Sequence, residues 1–124
     1  MVRHVRTPII VLLLTIFLSA CTSHQSRFVP LQGSYDALPR DFDVQVYRDE
    51  SPEQPFERVA RLDVHIEKTH FLSTDFEDAL PELKEQARFS GSHAIIEIEE
   101  RKSSLLETKI YHISAIGIRF KNQD

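Results

Sequence analysis

The chain has 124 residues, enough for one small domain and too few for two. Its formal charge is −4, with 15 basic and 19 acidic side chains, which excludes the basic stripe that nucleic-acid binding needs. A single cysteine excludes an internal disulfide, and three scattered glycines, Gly33, Gly91 and Gly117, exclude a glycine-rich phosphate loop.

Met1 to Arg6 carries Arg3, His4 and Arg6, and Ile9 to Ala20 is then apolar apart from Thr15 and Ser19. A helix needs about 20 apolar residues to cross a bilayer, so this run is too short to span and fits the apolar region of a signal peptide. It closes on Leu18-Ser19-Ala20-Cys21. That order resembles the bacterial lipobox, in which an aliphatic residue and two small residues precede a cysteine. The resemblance implies cleavage between Ala20 and Cys21 and a thioether-linked diacylglycerol on Cys21. It makes residues 1–20 a lipoprotein signal peptide and membrane lipid the first partner. Loss of Arg3 and Arg6 takes the side-chain charge from −4 to −6. Thr22 stands where the enteric sorting rule places Asp for inner-membrane retention. The expected location is therefore the outer membrane, facing the periplasm.

Residues 21–42 are polar and rich in turn formers and read as a lipidated tether. As a flexible coil it would reach about 25 Å, with Tyr35 to Phe42 lying against the domain that follows.

The domain is expected over 43–124. Asp43 to Tyr47 alternates with period two and reads as a strand. Arg48 to Pro55 holds Asp49, Glu50, Ser51, Pro52 and Pro55, a turn signal. Glu57 to Lys68 alternates again, with Ala60, Leu62, Val64 and Ile66 on one face and Arg61, Asp63, His65 and Glu67 on the other. Thr74 and Glu77 fit a capping box, and Phe76, Leu80, Leu83 and Ala87 form one helical face. Pro81 should kink this helix or start a second segment. Gly91 lies where a left-handed residue ends a helix. His93 to Glu99 is the third strand, Arg101 to Ser104 a polar turn, and Leu106 to Lys121 the fourth strand, apolar on both faces. The order β-β-α-β-β gives an α+β two-layer sandwich, one helix on a four-stranded sheet. If the sheet face away from the helix is not fully wet, it is a docking surface.

From Val44 onward the pattern resembles the RcsF/YbjQ-like group of small bacterial envelope lipoprotein domains. The positions that carry it are Val44-Gln45-Val46-Tyr47, Pro55-Phe56, Leu80 to Ala87, Gly91, Ala94-Ile95-Ile96 and Ala115-Ile116-Gly117-Ile118. RcsF-type domains are held by disulfides, and this chain has no cysteine after Cys21.

Three constellations bear on chemistry. Ser90-Gly91-Ser92-His93 brings hydroxyls and an imidazole together in sequence, but reads as a helix-ending turn. Glu97, Glu99 and Glu100 could serve as paired acid and base or hold calcium, but fit a charged edge strand. His65, His70 and His112 are the metal candidates, since imidazole with carboxylate suits zinc or copper. The sequence thus points to a non-enzymatic envelope module that interacts or senses stress. No catalytic residue and no cofactor is expected, and the expected protein partner lies in the envelope. The alternative is a periplasmic metal-binding module. A small hydrolase is a weaker third class.

Overall fold

A computed structural model describes residues 22–69 and 74–122. Its elements are β1 (Ser23–Pro30), β2 (Gln45–Val46), β3 (Phe56–Thr69), α1 (Phe76–Phe89), β4 (Ala94–Leu105) and β5 (Thr108–Phe120). They build a five-stranded sheet in the order β1-β3-β5-β4-β2, with α1 packed on one face. All neighbours are antiparallel except β2 and β4. The class is α+β, as expected from the alternation of periods, but the sheet has five strands and not four.

The added strand is β1, within the stretch read as a tether. It pairs with β3 from Ser23 opposite Glu67 to Pro30 opposite Ala60. Every residue of β1 but Phe28 is exposed, so it lacks the alternation that marks a half-buried strand. Backbone pairing holds it, with Phe28 packed on the core and Ser26 accepting a hydrogen bond from the Gln86 amide on α1 at 2.9 Å. The expected contact of Tyr35 and Phe42 with the domain is present: both pack against the core.

The main core lies between sheet and helix. Leu62, Val64 and Ile66 of β3, Ile95 of β4, and Tyr111, Ile113 and Ala115 of β5 meet Phe76, Ala79, Leu83 and Ala87 of α1. Leu80, expected on this face, is only half buried, while Ala79 and Gln86 are buried. The helix is one segment through Pro81. Its cap is Asp75, not Thr74. The Asp75 side chain accepts from the Asp78 N–H at 3.3 Å, and the Asp78 side chain accepts from the Asp75 N–H at 3.0 Å. Both Thr74–Glu77 and Asp75–Asp78 fit the three-residue spacing of a capping box; burial of Phe76 as the first helical residue selects the second.

At the other end Ser90 caps the helix and Gly91 takes a φ of 75°. A Cβ there would lie 2.7 Å from the Tyr35 Cβ and 2.9 Å from the Asp36 carbonyl, so both conformation and space require glycine.

Arg101 to Ser104 is not a turn. β4 runs through it, paired with β5 until Leu105 faces Thr108. β2 covers β4 only at Ala94 and Ile95, so these residues form an exposed sheet edge, which accounts for their polarity.

Candidate functional site

The sheet face away from α1 divides into two halves. At the end where β4 begins and β5 finishes, Ala94, Ile96, Ile118 and Phe120 are buried, with Tyr47, Phe56 and Ile116 packed against them. At the opposite end the face is polar. The register brings Gln25 beside His65 and Arg27 beside Asp63, and sets His65 opposite His112 and His112 opposite Arg101. The face is therefore neither fully wet nor an open apolar surface.

His65 and His112 are the cross-strand pair at the centre of the polar half, with ring centroids 6.1 Å apart. Each has its own carboxylate. His65 Nε2 lies 2.9 Å from Glu67 Oε1, and His112 Nε2 lies 3.4 Å from Asp63 Oδ1. Gln25, Arg27 and Asp63 line the depression beside the pair, a cavity of about 380 Å³. Two imidazoles with carboxylates can ligate a metal, and a carboxylate on Nε2 would leave Nδ1 of each ring as the ligating atom. Among the described residues, no three His, Cys, Asp or Glu side chains are grouped as a metal site. His70, the third candidate, lies outside the described residues, as do Ala20 and Cys21.

The other constellations resolve into structure. Ser90 Oγ donates to the Ala87 carbonyl at 2.9 Å and lies 2.7 Å from Ser92 Oγ. His93 stacks against Phe120, and its Nδ1 accepts the Phe120 N–H at 3.1 Å. The three acids of β4 part company at a bulge between Ile96 and Glu99. Glu97, at a φ of 51°, pairs with Arg58. Glu99 sits opposite Ser114 and Glu100 opposite Ile113, on different faces. They do not form a paired-carboxylate site.

Glu100 belongs instead to a network that the sequence did not signal. The Tyr111 hydroxyl donates to Glu100 Oε1 at 2.6 Å, and Arg48 donates to Oε2 at 2.6 Å. The Tyr111 bond, aided by Arg48 against the cost of burial, holds the Glu100 carboxyl below its ordinary range. Burial first, and Glu100 second, push the Tyr111 hydroxyl well above its usual value. Arg48 also lies over the Phe76 ring at 4.2 Å, so the loop after β2, the start of α1 and the last two strands are tied together. No spacing rule could find this, since the partners come from distant parts of the chain.

Among the described residues, exposed apolar surface gathers in two places, with Val29 and Leu31 exposed beside the first. Phe28, Pro30, Tyr35, Val59 and Phe89 line a groove of about 180 Å³ where β1 ends and α1 stops. Leu105 and Leu106 form the tip of the β4–β5 hairpin, 66% and 93% exposed.

Compared with known protein families, curated proteins and solved structures, the chain has no match in any of the three. Among the described residues, no helix is long and apolar enough to cross a membrane.

Proposed function

We propose that the chain is a lipoprotein of the cell envelope, tethered through diacylglycerol on Cys21 to the periplasmic face of the outer membrane. Its domain serves there as a non-enzymatic interaction or stress-sensing module. The observation that carries this is the Leu18-Ser19-Ala20-Cys21 sequence behind a basic and then apolar leader. Two acyl chains anchor stably where one binds only reversibly.

The non-enzymatic part is supported by how the nearest nucleophile candidates are used. Ser90 and Ser92 are buried and hydrogen-bonded within the turn after α1, and buried His93 accepts from the Phe120 N–H of β5. The stress-sensing part rests on the resemblance to RcsF/YbjQ-like domains. The interaction part is supported by the groove that ends on Phe89, half exposed at the last turn of α1. In-cell photocrosslinking from that groove tests it. The expected result is one reproducible envelope protein, lost on Phe89→Asp. Recovery of only lipid and bulk porins would refute an interaction role.

A second reading, a periplasmic metal-binding module, has the His65–His112 pair in its favour. Calorimetry with zinc and copper decides it. Heat at micromolar metal that disappears in His65→Ala and His112→Ala would support it; no heat would remove it.

A further inference from the structure

We infer that the β4–β5 hairpin tip is a second membrane contact, seated on the phospholipid leaflet that holds the anchor. This rests on the anchoring reading of Cys21 and deepens it by fixing how the domain stands on the bilayer.

The first observation is placement. β1 begins at Ser23, so only Thr22 separates it from Cys21. Ser23 is opposite Glu67, Glu67 is opposite Ile110, and Leu105 closes the hairpin opposite Thr108. The start of β1 and the hairpin tip are therefore at the same end of the sheet. The two strands of the tip, β5 and β4, lie two and three strand spacings from β1, about 10–14 Å at the usual spacing. A lipid on Cys21 brings that end to the bilayer surface.

The second observation is the tip itself. Its loop is Leu106-Glu107, and Leu106 has a φ of 54°. Two-residue hairpin loops favour glycine or asparagine at a left-handed position. Here a leucine holds it while 93% exposed, so neither backbone preference nor burial within the chain explains the residue. An outlier of this kind points to function.

The third observation is charge. Lys68 is opposite Lys109, and Lys102 is opposite Tyr111, which places three lysines on the helix-side face behind the tip. Thr74, Lys102, Ser103, Ser104, Lys109 and Tyr111 line a depression of about 410 Å³ there. The Thr74 hydroxyl is buried on its wall without a hydrogen-bond partner. Asp78 pairs with Lys68 at 3.7 Å, Glu100 accepts from Tyr111 and lies near Lys102, and Glu67 and Glu107 are further acids toward the tip. The lysines behind the two leucines are matched by these acids, so the apolar tip, and not a net charge, carries the contact. Apolar residues dipping past the headgroups with lysines at phosphate level are the arrangement of an interfacial contact.

The full-length lipidated protein tests this in vesicles of phosphatidylethanolamine and phosphatidylglycerol carrying a lipid-bound quencher. Cys21 is capped by its thioether, so a thiol introduced by Glu107→Cys, or by Glu53→Cys at the far end of the sheet, takes a single fluorescent label. Flotation reports the anchor, and quenching reports the tip. The expected result is flotation of both labelled proteins, with quenching several-fold stronger at position 107 than at 53. Adding Leu105→Asp and Leu106→Asp should bring position 107 down to the level of 53 without changing flotation. Flotation with equal quenching at the two positions would overturn the tip contact alone. Failure to float would overturn the anchor and the tip contact with it.

Discussion

Leu83→Ala probes the packing on which the whole fold depends. Leu83 is fully buried at the centre of α1, within the cluster formed by Leu62, Val64, Ile66 and Ile113 of the sheet. The substitution removes three carbons. At about 0.8 kcal/mol per buried methylene, transfer alone contributes roughly 2–3 kcal/mol. The cavity left between helix and sheet brings the total to ~2–5 kcal/mol. Urea unfolding of residues 22–124, followed by circular dichroism, measures it. In a domain of this size the melting temperature should fall by roughly 10 °C or more. Leu80→Ala is the internal comparison, because Leu80 is half buried and should cost less. A loss below ~0.5 kcal/mol at Leu83, or a larger loss at Leu80, would show that the buried face of α1 is misassigned.

Other perturbations test separate parts of the fold. Gly117→Ala should destabilise by roughly 1–3 kcal/mol, because a Cβ there would overlap the Ser92 hydroxyl and lie 2.9 Å from its Cβ. Ser92→Ala in the same chain should recover part of the loss, and strict additivity of the two changes would refute the clash. Asp75→Ala should cost about 1 kcal/mol by removing the helix cap, whereas Thr74→Ala should cost less; the reverse ranking in urea midpoints would restore Thr74 as the cap. The pH dependence has two limbs. Asp78, through its bond with the Asp75 backbone, and Glu100, through Tyr111, bind protons less readily folded than unfolded. Stability should therefore fall as pH drops below their ordinary values, 3.8 for Asp78 and 4.5 for Glu100. Tyr111 has the opposite sign: its raised folded value means the unfolded chain ionises first, so stability should fall as pH rises through 10.0. Tyr111→Phe should flatten that alkaline limb, and an unchanged limb in the variant would refute the assignment.

The sequence made the long strands and the helix legible because each buries one face. Leu62, Val64 and Ile66 repeat at two, and Phe76, Leu83 and Ala87 at helical spacing, which is the mark burial leaves. The apolar residues on both faces of β5 also have a physical reason. Tyr111, Ile113 and Ala115 face the helix, while Ile118 and Phe120 lie in the smaller cluster behind the sheet. β1 and the second half of β4 were not legible because they are exposed edges held by backbone pairing, which carries no side-chain period. Of the candidate site, residues 65 and 112 could be named from the sequence, but not their pairing. That depends on the β3–β5 register, which shifts by one residue at the bulge between Arg58 and Ala60. The apolar tip escaped notice because Leu106 looks like the first residue of a strand when its left-handed backbone is not known.

The shortened tether changes the functional question. A coil over residues 21–42 would let the domain sample its surroundings at a distance. With β1 starting at Ser23, a lipid on Cys21 instead places one end of the sheet against the bilayer and turns the Phe89 groove away from it. A partner would then be met at a defined height and orientation.

The most direct test of the anchor is the intact mass of the protein extracted from membranes of cells expressing the full chain. The anchoring account expects a mature chain starting at Cys21 and carrying diacylglycerol, and an unlipidated, misplaced product for Cys21→Ala. A retained leader, or a free Cys21 thiol on a chain that still fractionates with membranes, would contradict it.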